Sequence, residues 1–129
     1  MTKKAITTEN APGAIGPYSQ AVIANGLVFC SGQIPLDPAT GELVNGSAAD
    51  QTHRVMKNLG EVLKAAELDY NNVLKATIYV TDLSEFAAIN DVYVSYFSKP
   101  LPARATVQVA ALPMGAMVEI DLIASAKEG

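Results

Sequence analysis

The chain has 129 residues, of which 50% are hydrophobic and 17% are charged, and its formal net charge is −4. This length suits one domain, predicted over residues 1–129, and the apolar fraction excludes a disordered chain. No apolar run approaches the ~18 residues that a membrane helix needs, and the first residues lack the apolar core of a signal peptide. We therefore expect a cytoplasmic protein with no membrane partner. The acidic charge argues against a nucleic-acid partner held through its phosphates.

The composition also excludes most catalytic machinery. Cys30 is the only cysteine and His53 the only histidine, so neither an intramolecular disulfide nor a Cys/His zinc cluster can form. The glycine-rich patterns that bind nucleotide phosphates are absent from the sequence. We therefore predict no metal and no cofactor. Cys30 is interpreted as a small buried hydrophobe and His53 as a surface residue.

The first half of the chain predicts a hairpin and then a helix. Residues 19–24 and 27–31 are interpreted as strands joined by Asn25-Gly26, a dipeptide typical of tight hairpin turns. Ser47 is a good helix cap, with a carboxylate three residues later. Apolar residues then recur at the spacing of a core-facing helix stripe: Val55, Met56, Leu59, Val62, Leu63 and Ala66.

The second half predicts a strand, a helix and two more strands. Residues 74–81, 103–111 and 117–125 alternate between apolar and polar side chains, as half-buried strands do. Between them, Asp82 or Ser84 can cap a helix. That helix carries the apolar residues Phe86, Ile89, Tyr93 and Phe97. The order of elements predicts an α+β domain with a mixed or antiparallel sheet and two helices on one face.

Two helices leave the other face of the sheet uncovered. The alternation of the strands assigns to that face a mixture of apolar and polar side chains that is too apolar for a fully solvent-exposed surface. A second subunit would cover it, which predicts a homo-oligomer. The predicted members of this uncovered face are Lys75, Thr77, Tyr79, Arg104, Thr106, Gln108, Met117, Glu119 and Ile123. Arg104 and Glu119 are thus predicted to point away from the helices and toward a subunit interface.

Arg104 and Glu119 are also the first candidates for chemistry. An arginine offers a planar, permanently charged fork for a carboxylate, and a glutamate can orient or deprotonate a water molecule. The alternative is a structural ion pair at the interface, a frequent use of such residues.

Three further positions are candidates for lining a small pocket, each with a plainer alternative. Gly16-Pro17 would present the phenol of Tyr18 at a defined place, unless Tyr18 simply packs. Gly32 at a strand end allows a ligand or another backbone to approach closely, or only makes the turn. Asn90 offers a side-chain amide in mid-helix, or packs at the edge of the apolar stripe.

Five short segments spread over nearly the whole chain carry a family resemblance. They are Ala-Ile-Gly-Pro-Tyr-Ser-Gln at 14–20, Cys-Ser-Gly-Gln-Ile-Pro at 30–35, the helix with Phe86, Asn90 and Tyr93, Pro-Ala-Arg at 102–104, and Val-Glu-Ile at 118–120. Together they resemble the RidA (YjgF) family of enamine/imine deaminases.

The resemblance implies a chorismate-mutase-like α+β domain that assembles as a homotrimer with a central barrel and a ligand site at each subunit interface. It also implies hydrolysis of 2-aminoacrylate and 2-aminocrotonate, or their imine tautomers, to 2-oxo acids and ammonia. Small 2-imino and 2-oxo acids are then the expected partners.

The resemblance also implies residue roles. Arg104 matches the arginine that grips the substrate carboxylate, Glu119 the glutamate that orients the attacking water, and Tyr18, Gly32 and Asn90 match pocket residues. The chain departs from the family at Thr106, where several members carry cysteine; the implied mechanism needs no thiolate.

Two other functions stay open at this point. A trimer whose clefts bind a 2-oxo acid as a regulatory module, without turnover, would use the same Arg104. An endoribonuclease activity, attached to some relatives, is disfavoured by the net charge of −4.

Overall fold

The computed structural model describes residues 2–126, which form one six-stranded sheet and two α-helices. Their bounds, in chain order, are β1 Lys4–Ile6, β2 Ala21–Ala24, β3 Leu27–Gln33, α1 Ala48–Ala65, β4 Val73–Val80, α2 Phe86–Val94, β5 Ala103–Gln108 and β6 Val118–Ser125. The first strand was not predicted, because three residues are too short to show a period. The predicted α+β class is confirmed.

Local sequence signals set the ends of several elements as expected. Asn25 and Gly26 turn the β2–β3 hairpin with φ values of 52° and 75°, the left-handed region that this turn requires. The Ser47 side chain accepts a hydrogen bond from the Asp50 N–H, and the Asp50 carboxylate accepts one from the Ser47 N–H. These two bonds form the capping box that starts α1. The second helix and β5 are shorter than predicted.

The sheet has the strand order β1-β2-β3-β6-β4-β5, and β5 is one of its two edges. The pairing of β4 with β5 is parallel and all other pairings are antiparallel, so the sheet is mixed. The first helix packs on β3 and β6 and against α2, so both helices cover the same face. Their apolar stripe meets the inward residues of the central strands in a fully buried core that includes Val55, Leu59, Leu63, Ile78 and Ile120.

The structure corrects the predicted orientation of β5. Paired residues on neighbouring strands point to the same face of a sheet. Arg104 pairs with Ala76 and Thr106 with Ile78, and both partners are buried beneath the helices. The prediction that Arg104 points away from the helices is therefore wrong, because it lies on the helix-covered side.

The open face is the side of the sheet without helices, and it is smaller than predicted. Gln108 follows Arg104 and Thr106 to the helix side, and Met117 precedes β6 and packs against the core. On β5 it is Val107, and not the misassigned residues, that lies on the open face. The predicted members that do lie on the open face are Lys75, Thr77, Tyr79, Glu119 and Ile123. Val107 is 43% exposed there.

No helix within residues 2–126 is long and apolar enough to cross a membrane.

Candidate active site

Glu119 lies in the middle of β6 on the open face, directly opposite Tyr79 of β4. Its side chain is half-buried, and this burial raises the pKa of its carboxyl group above the ordinary value. The nearby Asp121 carboxylate raises the pKa further, since like charges disfavour ionisation. Asp121 itself accepts a hydrogen bond of 3.0 Å from the Tyr79 hydroxyl. These surroundings make Glu119 a candidate proton-transfer group.

Gly32 allows that carboxylate to lie close to the main chain. The register of β3 against β6 shifts between Cys30 and Gln33, so β3 has one extra residue at this point. A Cβ atom on Gly32 would lie 2.9 Å from the Glu119 carboxyl carbon, closer than carbon atoms approach one another. A side chain at position 32 would therefore displace the Glu119 carboxyl group, and glycine permits this close approach, as one of the two predicted alternatives stated.

A cavity of about 440 Å³ opens beside Gly32 and Glu119. Tyr18, half of whose surface is exposed, borders it, together with the apolar residues Pro12, Ile15, Ile34, Leu36 and Pro113. We call this space the Glu119 cavity. It is a largely apolar recess with one carboxyl group, which suits a small organic molecule better than a polyanion.

Buried Gln20 anchors the loop that carries Tyr18. Its side-chain oxygen accepts a hydrogen bond of 2.8 Å from the Thr8 N–H. Its side-chain nitrogen donates to the carbonyl oxygens of Thr8 and Pro12 at 3.0 and 2.8 Å. These bonds tie the start of the loop to Gln20, the residue that precedes β2. The loop wall of the Glu119 cavity, which includes Pro12 and Tyr18, is thereby held against the sheet.

Arg104 and Asn90 meet at a different place, between α2 and the edge strand β5. The Arg104 guanidinium donates a hydrogen bond of 2.6 Å to the Asn90 side-chain oxygen. These two residues line a cavity of about 390 Å³, the Arg104 cavity, together with Tyr93, Val94, Leu101 and Pro102. Asn90 thus uses its amide as a polar group, as one of its predicted alternatives stated.

One chain does not bring the predicted site residues together. Tyr18, Gly32 and Glu119 share one cavity, Asn90 and Arg104 the other, and the two cavities have no lining residue in common. Within residues 2–126 no carboxylate pairs with the Arg104 guanidinium. Arg104 and Glu119 therefore form no ion pair within one chain, since the two side chains leave opposite faces of the sheet. The alternative of an ion pair between subunits is not tested by a single chain and stays a prediction.

The family comparison agrees with the resemblance. A family model described as Endoribonuclease L-PSP matches residues 8–126. The chain belongs to this family. It is the family that the motifs resemble, and the names of its relatives indicate deamination. The chain is 50% identical over 124 residues to 2-iminobutanoate/2-iminopropanoate deaminase from Bos taurus, covering 96% of this chain and 90% of the relative.

Two other relatives of this RidA-family chain support the same assignment. It is 53% identical over 125 residues to the chloroplastic Reactive Intermediate Deaminase A of Arabidopsis thaliana, covering 97% of this chain and 67% of the relative. A crystal structure of TdcF from E. coli with bound serine superposes with a TM-score of 0.90 at 43% identity, covering 95% of this chain and 98% of the other. The fold of the RidA family is thus confirmed for this chain.

Sequence reasoning missed two aromatic residues beside the Arg104 guanidinium of this RidA-family chain. The Arg104 guanidinium carbon lies over the rings of Phe86 and Tyr93, at 5.2 and 5.3 Å from the ring centres. Both residues were assigned to the apolar stripe of the second helix and quoted with Asn90 as a family motif, but neither was predicted to be a site residue. The signal that could have found them is their spacing with Asn90: positions i, i+4 and i+7 share one helix face.

Cys30 lines neither the Glu119 cavity nor the Arg104 cavity. Its side chain is buried in the core, as predicted, and burial together with the charge of Asp121 raises the pKa of its thiol to about 12. His53 is exposed, also as predicted, and its Nδ1 lies 2.9 Å from the Tyr96 hydroxyl. In the part of the chain that the structure describes, no group of three His, Cys, Asp or Glu side chains is arranged to hold a metal ion.

Proposed function

We propose that this protein hydrolyses small 2-imino acids, the tautomers of 2-aminoacrylate and 2-aminocrotonate, to 2-oxo acids and ammonia. The names of the bovine and Arabidopsis relatives support this substrate class. The residues supply what the reaction needs, which is a cation for the carboxylate and an acid–base group for water. Arg104 has no carboxylate partner in the described chain, and the pKa of Glu119 is raised.

The observation that carries the proposal is that these two groups lie on opposite faces of one sheet, each at its own cavity. Each chain therefore carries both halves of a site, but at two separate places. We propose that the protein is a homotrimer in which the Arg104 cavity of one subunit meets the Glu119 cavity of the next. The edge strand β5, with Val107 43% exposed on the open face, supplies a surface for such a contact.

In the assembled site, the Arg104 guanidinium binds the carboxylate of the substrate through its planar fork. A water molecule beside Glu119 transfers a proton to the carboxylate as its oxygen bonds to the carbon of the protonated imine, giving a neutral carbinolamine. Glu119 then gives that proton to the nitrogen. The C–N bond breaks and ammonia leaves, while the hydroxyl proton of the intermediate passes to the Glu119 carboxylate as the carbonyl forms. Glu119 releases this last proton to ammonia, which restores the carboxylate. Water is consumed, and no redox change occurs. A pKa above the ordinary carboxyl value makes Glu119 a stronger proton acceptor toward water than a typical surface carboxylate.

Imine hydrolysis is tested by coupling the protein to a threonine dehydratase. The appearance of 2-oxobutyrate is followed in semicarbazide, which traps imine that the protein has not hydrolysed. We expect the protein to accelerate 2-oxobutyrate formation and to leave a single-stranded RNA intact. Binding of 2-oxobutyrate without acceleration would support a regulatory module instead, and RNA cleavage would support a ribonuclease.

Two variants assign the residues in the same assay. Arg104→Lys keeps the charge but loses the planar fork, so we expect kcat/KM to fall at least ~10-fold while the trimer persists. Glu119→Ala removes a positioned proton-transfer group, which costs ~10²–10⁴-fold in turnover, yet it should still bind 2-oxobutyrate. If both variants lose Tm or assembly while the activity of the folded trimer stays intact, the two residues are structural.

A further inference from the structure

Three side chains on one face of α2 surround the Arg104 side chain. We propose that Phe86 and Tyr93 are positioning residues: their rings hold the guanidinium plane so that its free edge is presented to the substrate carboxylate. This inference rests on the proposed function, because it assumes that Arg104 binds that carboxylate. The inference concerns the orientation of the Arg104 guanidinium plane. Neither the position of Arg104 in the strand nor its charge determines that orientation.

Three contacts restrict the guanidinium. Its central carbon lies 5.2 Å from the Phe86 ring centre and 5.3 Å from that of Tyr93, both within the range of a cation–π interaction. One terminal nitrogen donates to the Asn90 side-chain oxygen at 2.6 Å. No other described residue accepts a hydrogen bond from this guanidinium, so its remaining N–H donors are available to a ligand.

An arginine on an exposed edge strand otherwise samples many rotamers, and ordering it upon binding opposes affinity. Arg104 is exposed, and it lies on β5, the edge of the sheet. Flanking rings remove that freedom before the substrate arrives. They also allow the guanidinium to keep its charge unpaired, because a π face attracts a cation without occupying its N–H donors.

The two rings differ in what else they do. Tyr93 is 4% exposed and belongs to the core, so its replacement would disturb packing as well as the arginine. Burial raises the pKa of the Tyr93 hydroxyl, which therefore stays protonated at neutral pH. Phe86 is only half-buried and lies outside the core cluster formed by the described residues. Phe86 is therefore the position at which positioning can be separated from stability.

The test compares Phe86→Leu, which keeps apolar volume without a ring, with Phe86→Tyr, which keeps the ring. We expect Phe86→Leu to raise KM for the imine, and Kd for 2-oxobutyrate, about 5-fold with kcat within about 2-fold of wild type. Phe86→Tyr should restore both constants. The matched control is Phe97→Leu. The ring centres of Phe97 and Tyr93 are 4.8 Å apart, but Phe97 makes no cation–π contact with Arg104. Phe97→Leu should therefore lower Tm and leave KM unchanged.

Two further measurements show whether Phe86 acts through Arg104. In the Arg104→Lys background, adding Phe86→Leu should change KM by much less than 5-fold, since the planar group that it positions is gone. In the NMR spectrum of the trimer, the Arg104 Nε–H resonance should carry a ring-current shift that Phe86→Leu reduces and Phe86→Tyr restores. The proposal is overturned by a wild-type KM in Phe86→Leu, by an equal KM effect in the Arg104→Lys background, or by an Nε–H resonance that does not move.

Failure of the proposed function would give a different pattern. If the wild-type protein binds 2-oxobutyrate without hydrolysing the imine, the effect of Phe86→Leu on Kd still tests the positioning role. If it neither hydrolyses the imine nor binds 2-oxobutyrate, the role in substrate binding is overturned. The NMR comparison of Phe86→Leu with Phe86→Tyr would still report whether the two rings order the arginine.

Discussion

The carboxyl group of Glu119 occupies the space that the Cβ atom of any side chain at position 32 would take. We predict that Gly32→Ala displaces the carboxylate, because a Cβ atom would lie 2.9 Å from its carboxyl carbon. A displacement of about 1 Å can reduce a rate ~10²-fold, so kcat should fall by that order in the coupled imine assay. Wild-type kcat in a folded Gly32→Ala trimer would show that Glu119 does not act on the reacting atoms.

The charge next to Glu119 makes a second prediction at the residue scale. Glu119 must be ionised to accept a proton from water, so activity falls as pH drops through its pKa, which burial and Asp121 both raise. Asp121→Asn removes the second of these causes and keeps an oxygen for the Tyr79 hydroxyl. The pKa of Glu119 should then fall, and the acid limb of kcat/KM should move to lower pH. A limb that stays in place or moves upward would contradict this.

At the scale of elements, α1 supplies the apolar stripe on which the sheet packs, and its first turn depends on one hydroxyl. We predict that Ser47→Ala lowers the free energy of unfolding by about 1 kcal/mol, because it removes the side-chain acceptor of the capping box. Denaturation at fixed protein concentration measures this change. The cap lies outside both cavities, so kcat/KM per folded trimer should not change; a loss of activity without loss of stability would contradict the structural role.

The second helix has a double role that its sequence pattern conceals. Ile89 and Val92 pack it into the interior, while Phe86, Asn90 and Tyr93 face the arginine of the next strand. A helix between two parallel strands can contact both the core and the edge strand. For this reason an apolar stripe of ordinary appearance also contains half of the candidate site.

At the scale of the whole molecule, a site shared between subunits makes a sharp prediction. Arg104→Ala and Glu119→Ala are each expected to be inactive as homotrimers. When the two are unfolded and refolded together, about a quarter of the interfaces should pair an intact Arg104 with an intact Glu119, restoring about a quarter of wild-type activity. If both groups acted within one chain, every chain in the mixture would carry a defect and no activity would return.

The same experiment requires that the protein is a trimer. Light scattering at micromolar concentration should give three times the monomer mass, both for wild type and for each variant. A monomer mass would refute the shared site together with the assembly. Refolding each variant alone is the control, because it produces interfaces of only one kind.

The sequence by itself determined the features that depend on short stretches of chain. The turn at Asn25-Gly26, the cap at Ser47 and the alternation of residues 73–80 each follow from the conformations that neighbouring residues allow. Arg104 and Glu119 could be named as candidates because a charged side chain in the middle of a half-buried strand is costly unless it is paired or used. The roles predicted for them came from the family resemblance. The alternation within β5 was likewise correct.

Only the tertiary structure decided which way β5 faces. Alternation specifies that Arg104 and Val107 lie on opposite faces of the strand, but not which of them lies under the helices. The parallel register with β4 decides this, because it pairs Arg104 with buried Ala76 and Val107 with Tyr79 of the open face. That register depends on how a distant strand docks at the edge of the sheet. It is therefore the fold, and not the local pattern, that separates Arg104 from Glu119 within one chain.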